Sequence, residues 1–355
     1  MQIIYFDKLI KIASKLSVTP SVLRDRFFSN AQYFTDGEIP VEITKNGRQV
    51  APFVAPEVGG VVMERDKRSV TVYEPPEIAP QRVITRKNIL KAERGDDVVI
   101  VENGDNSTPE TRKAQMIRKD LIDLDNAITR REEWMVSQIL YTGQVLVQGA
   151  GYNEVIQFWD QADKPYEELS GAALWTATTT SDPLADIERG IKQVQTRSGI
   201  TPTEVWMHPN DWALASASEK LQKQLNQLNT NIGNINRESV ADGNGVRLVA
   251  HLNGVDIYTY SQSVTIQNND GSQTVVDLVP EGKILFANPN ADTMLAYGVV
   301  QINDVKAQDI KFVSMKRVPN MYLNQKNPAG IVVETKTAVL PIPLVPDEFY
   351  VIKVK

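Results

Sequence analysis

One uninterrupted amphipathic stretch constrains this 355-residue chain more than any other feature. It runs from Thr108 to Gly143 and contains no glycine or proline between Pro109 and Gly143. Thr108 is a favourable N-cap, Pro109 suits the first helical position, and Gly143 is placed to end a helix. The sequence therefore predicts a helix over 108–142, which at about 1.5 Å per residue is a rod about 50 Å long.

The apolar residues of this predicted helix recur on one face. They are Ile117, Leu121, Leu124, Ile128, Met135 and Ile139. Their spacing is close to a heptad repeat, but Arg131 and Gln138 interrupt the stripe. We therefore expect a helix that lies across a sheet, and not one strand of a coiled coil.

The first 40 residues have too little apolar surface for a core of their own. Apolar side chains between Phe6 and Leu16 alternate with charges, which predicts a short amphipathic helix and not a signal peptide. The segment "RFFSNAQYFTDGEIP" follows it. We expect residues 1–40 to form an arm that lies along another element.

The segment "EVGGVVMERDKRSVTVYE" predicts a β-hairpin, because apolar and polar residues alternate on both sides of a charged turn from Arg65 to Ser69. A two-stranded hairpin is marginal alone, so it needs a partner in its own chain or in another subunit. The wider segment from Arg48 to Arg94, which contains this hairpin, is also basic. It has nine Arg or Lys against six Asp or Glu. This charge fits either an arm over an acidic neighbour or an exposed hairpin kept soluble by charge.

Residues 183–312 have a mixed α/β pattern. The segment "PLADIERGIKQVQTRSG" predicts a helix ending at Gly199, "TEVWMH" a buried strand, and "PNDWALASASEKLQKQL" one further helix. Two hairpins follow, with turns at Asn253-Gly254 and Asp270-Gly271. The chain then returns to long strands split by Pro341, Pro343 and Pro346, so the long helix and these strands could form one discontinuous domain.

The sequence contains no constellation for catalysis. There are no cysteines and only two histidines, neither in a nucleophile or metal-ligand spacing. There is no P-loop, and no apolar run approaches the roughly 18 residues of a membrane span. We expect no enzyme activity, no cofactor, no metal and no membrane partner, and a net charge of -6 argues against a nucleic-acid coating protein.

Four charges near the middle of the long helix, Arg130 to Glu133, are adjacent in sequence. Adjacent helical positions face different ways, so Glu132 and Glu133 do not form a carboxylate pair for acid–base chemistry. We expect them to pair with neighbouring elements.

Four stretches together resemble a known family. "RKAQMIRKDLIDLDNAITRREEWMVSQILYTGQV" is similar to the family's arginine-rich spine helix, and "VWMHPNDWALASASEKL" to its strand, aspartate-tryptophan turn and helix. "RVPNMYLNQKNPAG" is similar to its crossing segment, and "PLVPDEFYVIKV" contains the family's C-terminal "PDEF". In this order they resemble the lambda-type major capsid protein family, capsid protein E, of tailed phages.

The resemblance implies an α+β, HK97-like capsid fold. Its implied division is 1–40 for the N-terminal arm, 41–92 for the E-loop, 93–182 for the first part of the peripheral (P) domain, 183–312 for the inserted axial (A) domain, and 313–355 for the closing P-domain strands. The implied function is a virion protein whose hexamers and pentamers, assembled in the host cytoplasm, form an icosahedral shell around DNA without sequence-specific binding. Decoration, scaffolding and portal proteins are the further partners that it allows.

In such a shell, the hairpin and the charged part of the long helix become candidate contacts between copies. These candidates are Val61, Met63, Arg65, Lys67, Arg68, Val70, Val72, Arg130, Arg131, Glu132 and Glu133. We expect Glu132→Arg to impair assembly more than it impairs the solubility of the subunit. Two alternatives stay open: an encapsulin-like nanocompartment shell, which shares the fold, and a soluble α/β enzyme or ligand-binding protein.

Overall fold

The computed structural model describes residues 21–44, 68–85, 88, 109–149, 152–227, 233–241, 244–267, 272–304, 309–324 and 330–355. The helices are α1 (Val22–Phe27), α2 (Pro109–Thr142), α3 (Pro183–Ser198), α4 (Pro209–Ala217) and α5 (Glu219–Gln227). The strands are β1 (Ala31–Tyr33), β2 (Ile39–Thr44), β3 (Arg68–Tyr73), β4 (Glu77–Ile78), β5 (Gln81–Thr85), β6 (Gln144–Gly149), β7 (Tyr152–Gln157), β8 (Tyr166–Glu168), β9 (Glu204–Met207), β10 (Gly233–Ala241), β11 (Val246–Leu252), β12 (Val255–Tyr260), β13 (Ser263–Gln267), β14 (Gln273–Asp277), β15 (Lys283–Ala287), β16 (Thr293–Tyr297), β17 (Val300–Asp304), β18 (Asp309–Val313), β19 (Val318–Asn324), β20 (Gly330–Pro343) and β21 (Tyr350–Lys353). The helix predicted near the N-terminus lies outside the described residues.

The predicted long helix is present as α2, which has 34 residues. It ends where predicted, because Gly143 adopts a left-handed φ of 67° and its N–H donates to the carbonyl of Ile139 at 2.8 Å. A Cβ at Gly143 would lie 1.9 Å from the Trp159 ring. The backbone conformation and the close approach both require glycine, so Gly143 ends the helix and seats Trp159 against it.

The apolar stripe of α2 is buried along its length, as predicted. In the first half of the helix it packs against Ile331 and Val333 of β20. In the second half, Met135 and Ile139 belong to a larger core that includes residues of both main sheets. The helix therefore lies across a sheet and contributes to two parts of the core.

The six-stranded sheet is built around β20. Its strand order is β1-β16-β20-β19, and β4 and β5 also pair with β20. The register places Val332 opposite Tyr322 of β19 and Val339 opposite Tyr297 of β16, both antiparallel. One 14-residue strand thus connects segments from the beginning, middle and end of the chain.

Two of the prolines expected to split the C-terminal strands do not do so. Pro341 and Pro343 lie within β20. Leu295, the partner of Pro341, donates its N–H to Asn30 at 2.7 Å on the other side of β16. That register pair is therefore not hydrogen bonded, and the missing N–H of Pro341 leaves the ladder intact. The strand ends only at Pro343, before the 3-10 turn Pro346–Glu348.

The seven-stranded sheet has the order β10-β11-β12-β9-β15-β21-β8. As predicted, α3 ends at Gly199, whose φ is 80°, and β9 is completely buried. The predicted hairpins are also present: β11 and β12 join through Asn253 and Gly254, both with positive φ, and β13 pairs with β14. The residues of the second predicted turn, at Asp270-Gly271, lie outside the described residues.

The predicted helix "PNDWALASASEKLQKQL" is two helices, α4 and α5. Ser218 between them is extended, with ψ 128°. Its hydroxyl donates to the carbonyl of Ser181 at 2.9 Å, and the N–H of Glu219 donates to the carbonyl of Thr178 at 3.0 Å. These contacts to a neighbouring loop replace helical hydrogen bonds, which sequence periodicity does not reveal.

Sheet membership also differs from the predicted division at 182 and 312. Strands β16 to β18, expected within 183–312, leave the seven-stranded sheet: β16 joins the six-stranded sheet, and β17 and β18 form a separate ribbon. Conversely, β8 and β21, expected in the two parts of the P domain, are strands of the seven-stranded sheet. The order of elements along the chain does not show which sheet a strand joins, because strands that are far apart in sequence pair side by side.

The second strand of the predicted hairpin is present as β3, which pairs with β2, from Ile39 opposite Tyr73 to Thr44 opposite Arg68. The partner strand that was predicted before Arg65 lies outside the described residues. The predicted turn is wrong at its end, because Arg68 and Ser69 lie within β3. Residues 45–67 lie outside the described residues.

The end of the chain is held by the turn before β15. Both carboxylate oxygens of Asp211 accept the N–H of Gly282, at 2.8 and 3.0 Å. The carbonyl of Gly282 accepts the N–H of Val354 at 2.8 Å, and Lys355 Nζ lies 2.6 Å from Glu281 Oε1. Burial raises the pKa of Asp211 to about 6, although the hydrogen bond from Gly282 acts in the opposite direction.

We expect Asp211→Asn to stabilise the unassembled chain near neutral pH. The Asp211 carboxyl has a pKa of about 6 in the folded chain and an ordinary value of 3.8. Above about pH 6 the folded state carries a buried charge that costs on the order of 1–3 kcal/mol. The contribution of this group to stability rises as the pH falls from about 6 to about 4, so the advantage of asparagine disappears there. Urea unfolding near neutral pH and near pH 4 measures the difference in unfolding free energy between the variant and wild type.

The exposed Asp277 on β14 provides the control. Asp277→Asn should change the unfolding free energy by less than about 0.5 kcal/mol at either pH. A variant at Asp211 that is less stable than wild type at neutral pH would show that the carboxylate contributes net stability.

Candidate assembly interface

The short helix α1 lies where the long helix and the two main sheets meet. Leu23, Phe27 and Phe28 are buried in the largest core cluster. The Phe27 ring packs edge-on against Trp206 of β9, with ring centroids 5.9 Å apart. The Thr293 hydroxyl at the start of β16 donates to the carbonyl of Phe27. An arm segment that lacks a core of its own is thus anchored in the core of the rest of the chain.

Glu133 of α2 caps α1 from outside. Its two carboxylate oxygens accept the backbone N–H groups of Leu23 and Arg24, at 2.7 and 2.9 Å. The Tyr260 hydroxyl also donates to it at 3.4 Å. Burial raises the pKa of Glu133, and the two backbone hydrogen bonds partly offset this rise. A six-residue helix is too short to be stable alone, so this cap and the core contacts hold it in place.

Glu132 lies between two arginines. It is fully buried and accepts a hydrogen bond from Arg24 Nη1 at 2.5 Å and from Arg317 Nη1 at 2.6 Å. Arg317 precedes β19 and also donates to Asp125 and, at 3.1 Å, to Thr129. Burial alone would lower the pKa of Arg317, but the hydrogen bonds and charges of Glu132 and Asp125 outweigh it and raise that pKa. The carboxylate therefore joins the arm, the long helix and the six-stranded sheet.

A second ion pair joins α1 to the seven-stranded sheet. Arg26 donates to both carboxylate oxygens of Glu204 on β9, in one case at 2.6 Å. Its guanidinium lies over the rings of Trp206 and Tyr258, 5.9 and 5.2 Å from their centroids. Trp206 Nε1 donates to Glu204 at 2.9 Å. Every polar atom of the Glu204 carboxylate is thus used for attachment.

This arrangement is structural, and it offers no site for a reaction. The buried carboxylates already accept hydrogen bonds from arginines or backbone N–H groups, so none is placed to move a proton. In the described part of the chain, no three His, Asp or Glu side chains lie together as a metal ion would require. Among the described helices, none has the length and hydropathy needed to cross a membrane.

The four charged residues of the long helix that were predicted as contacts separate into two inward-facing acids and two arginines. Glu132 and Glu133 face inward, and their partners belong to the same chain. Arginine at position 132 would therefore meet Arg24 and Arg317, and we expect it to disrupt the subunit itself, contrary to the sequence prediction. Arg130 is exposed, and Arg131 lies over the Trp134 ring at 5.0 Å from its centroid.

The predicted contacts in the hairpin are described only in part. Arg68, Val70 and Val72 lie in β3. Val61, Met63, Arg65 and Lys67 lie outside the described residues.

The ribbon of β2 and β3 has one covered face and one open face. Ile39, Val41 and Tyr73 are buried, and Tyr73 packs on Phe158 with ring centroids 5.3 Å apart. On the other face, Val72 is 52% exposed. Within the described residues, no third strand pairs with this ribbon. The ribbon is therefore attached to its own chain at the base and available for contact with another.

Sequence reasoning missed Arg24, Arg26 and Arg317, which make the ion pairs. Arg24 lies 108 residues from Glu132 in sequence, and Arg317 lies 185 residues from it. No local periodicity connects such positions. Arg317 does open the quoted segment "RVPNMYLNQKNPAG", but its pattern gives no indication of a buried partner.

We expect Glu132→Gln to destabilise the unassembled chain by about 3 kcal/mol, because it leaves two buried guanidiniums without their shared charge. Urea unfolding measures this loss. Glu219→Gln is the matched control: Glu219 forms an exposed pair with Lys223 at 3.6 Å, and its loss should cost less than about 0.5 kcal/mol. Equal small effects of both changes would contradict the assigned role of Glu132.

The comparisons with known proteins agree on one family. The model of Phage major capsid protein E matches residues 6–354. The P21 prophage-derived major head protein of Escherichia coli O6:H1 is 22% identical over 331 residues, which are 93% of this chain and 92% of that protein. The major capsid protein of Enterobacteria phage P21 gives the same values.

Solved structures show the same fold. The crystal structure of a capsid protein of an Escherichia coli CFT073 prophage matches 100% of both chains, with a TM-score of 0.70 and 18% identity. A phage-related protein from Bordetella bronchiseptica matches 99% of this chain and 98% of its own, with a TM-score of 0.50 and 15% identity. The α+β, HK97-like fold predicted from the sequence is confirmed.

Capsid proteins of this kind assemble into multimeric icosahedral shells, and they are structural proteins, not enzymes. The buried ion pairs fit a structural role, because they join the arm, the long helix and the two main sheets of one chain. The chain therefore belongs to the phage major capsid protein E family and is a major capsid protein, a component of the phage virion.

Proposed function

We propose that this chain forms hexamers and pentamers, which close into an icosahedral shell around phage DNA in the host cytoplasm. Membership of the capsid protein E family supports the shell. Contacts between non-equivalent surfaces of identical chains close into rings, which is the geometry that capsomers need. The enclosed DNA is held without sequence-specific binding, which fits a net charge of -6.

The observation that carries this proposal is the open face of the β2–β3 ribbon. A two-stranded ribbon has unpaired edges, and strands with free edges pair readily with another chain. Val72 is 52% exposed on this face, while the opposite face is anchored through Tyr73. A neighbouring subunit would cover the open face and supply the partner that the ribbon lacks.

The remaining segments take the roles that the family resemblance implies. Segment 41–92 lies over a neighbouring subunit, 183–312 gathers around the capsomer axis, and 1–40 bridges capsomers. The contacts proposed for the first segment are Val61, Met63, Arg65, Lys67, Arg68, Val70 and Val72. Decoration, scaffolding and portal proteins are further partners that this arrangement accommodates.

A nanocompartment shell is the alternative, since it would use the same fold to enclose enzymes. The two kinds of shell differ in what they enclose. Particles purified from infected or induced cells and treated with nuclease should retain protected DNA and lack a protein cargo. Protein cargo without DNA would favour the nanocompartment.

We expect a chain with residues 45–67 replaced by Asn-Gly to fold but not to form shells. Thr44 and Arg68 are register partners, so a two-residue turn of this type closes the ribbon directly. Electron microscopy and sedimentation measure assembly. Circular dichroism and thermal unfolding should match wild type, because Ile39, Val41 and Tyr73 keep their buried positions.

The same two-residue replacement between Gln267 and Gln273, also register partners, is a control for the shortening itself. It should retain shell formation. Normal particles from the first variant would contradict the proposed overlap of 41–92 with a neighbour.

A further inference from the structure

One half-buried cation on the long helix has no anion in the described part of its own chain. The guanidinium of Arg131 lies over the Trp134 ring, 5.0 Å from its centroid, and no carboxylate there binds it. Burial lowers the pKa of Arg131. The other buried or half-buried arginines among the described residues each bind a carboxylate; they are Arg24, Arg189, Arg197 and Arg317. A desolvated charge without a partner costs free energy, so this position suits an anion from outside the chain.

The Trp134 side chain supplies a second donor beside this cation. Its ring is half-buried, and its indole N–H donates no hydrogen bond within the described part of the chain. Residues three positions apart on a helix are neighbours, so the indole and the Arg131 guanidinium lie on the same side. Stacking on an aromatic ring orients a planar guanidinium, which can then donate two parallel hydrogen bonds to one carboxylate. The pair is therefore a preformed site for a carboxylate.

The β2–β3 ribbon carries acids that also lack a partner. Asp36, Glu38 and Glu74 are exposed, and none of them forms an ion pair with any other described residue. Glu38 and Glu74 flank the last register pair of the ribbon, Ile39 with Tyr73. We call these three acids the acidic foot of the ribbon. Carboxylates held close together repel one another, so a cation from another chain would stabilise them.

We propose that Arg131 and Trp134 of one copy bind a carboxylate from the acidic foot of a second copy. This inference rests on the proposed function, in which the ribbon lies over a neighbouring subunit, and it names where the foot of that ribbon docks. Each surface carries the charge that the other lacks. Arginine and tryptophan are also enriched among the residues that contribute most to binding between proteins. The phosphate backbone of DNA fits less well, because the Asp123 carboxylate lies two turns before Arg130 on the same side of the helix.

The first measurement separates contact between copies from a role in folding. Arg131→Gln removes an unpaired, half-buried charge, so the unassembled chain should unfold at the same temperature as wild type or above it. The same change should raise the protein concentration needed for shell assembly about tenfold, because each interface loses a charged contact. Light scattering measures that concentration. A lower unfolding temperature with normal assembly would overturn the inference and assign Arg131 to the fold of the subunit.

Arg118→Gln is the matched control. Arg118 is another arginine of the same helix; it is exposed and has no carboxylate partner among the described residues. Its replacement should leave both the unfolding temperature and the concentration for assembly unchanged. An equal loss of assembly in the control would show that the general charge of the helix matters and not the site at Arg131.

A double-mutant cycle identifies the partner. The second variant is Asp36→Asn with Glu38→Gln and Glu74→Gln, and it should weaken assembly about as much as Arg131→Gln does. If the two surfaces meet, combining both sets of changes causes little further loss; if they do not meet, the two losses multiply, which overturns the inference. Normal shells that lack protected DNA would also overturn it and assign Arg131 to nucleic acid. A wild-type chain that forms no shells would contradict the proposed function, whereas multiplied losses in chains that form shells contradict this inference alone.

Discussion

Two adjacent carboxylates on the long helix hold the arm of this subunit to the rest of it. Because neighbouring helical residues point about 100° apart, Glu132 and Glu133 reach different partners. Glu132 binds Arg24 and Arg317, while Glu133 receives the backbone N–H groups that open α1. Buried charges are costly unless they are paired and hydrogen bonded, and both of these carboxylates are.

This attachment explains how one long helix serves a broad subunit. The helix lies on the strand at the centre of the six-stranded sheet, and α1 extends its contacts to the seven-stranded sheet through Arg26 and Glu204. The rigid body that results carries the β2–β3 ribbon at its edge. For a shell subunit, rigidity in the body and an uncovered ribbon are complementary under the proposed function, in which the ribbon of one copy contacts the body of another.

The parts of the fold that local chemistry determines could be predicted from the sequence. The apolar stripe from Ile117 to Ile139 gave the long helix, Gly143 and Gly199 gave two helix ends, and Asn253-Gly254 gave a hairpin. The interruption of the stripe at Arg131 correctly argued for packing on a sheet. In each case the signal lies within a few residues of the structure that it specifies.

The rest depends on contacts between distant segments. Arg24 and Arg317 become important only because folding brings both to Glu132. Strand β21 joins the seven-stranded sheet although its neighbour β20 is central to the other one, and Pro341 fits a strand because its partner pairs elsewhere. The charges of Glu132 and Glu133 were identified from sequence as contacts, but their burial within one chain required the structure.

Hydrogen exchange at two backbone amides tests the central claim most directly. If Glu133 holds α1 against the long helix, the amide hydrogens of Leu23 and Arg24 should exchange only through global unfolding. Their exchange rates in the native, unassembled chain should then match those of buried strand amides such as Val205. Exchange at the rate of an unstructured peptide, while Val205 stays protected, would contradict the attachment of the arm.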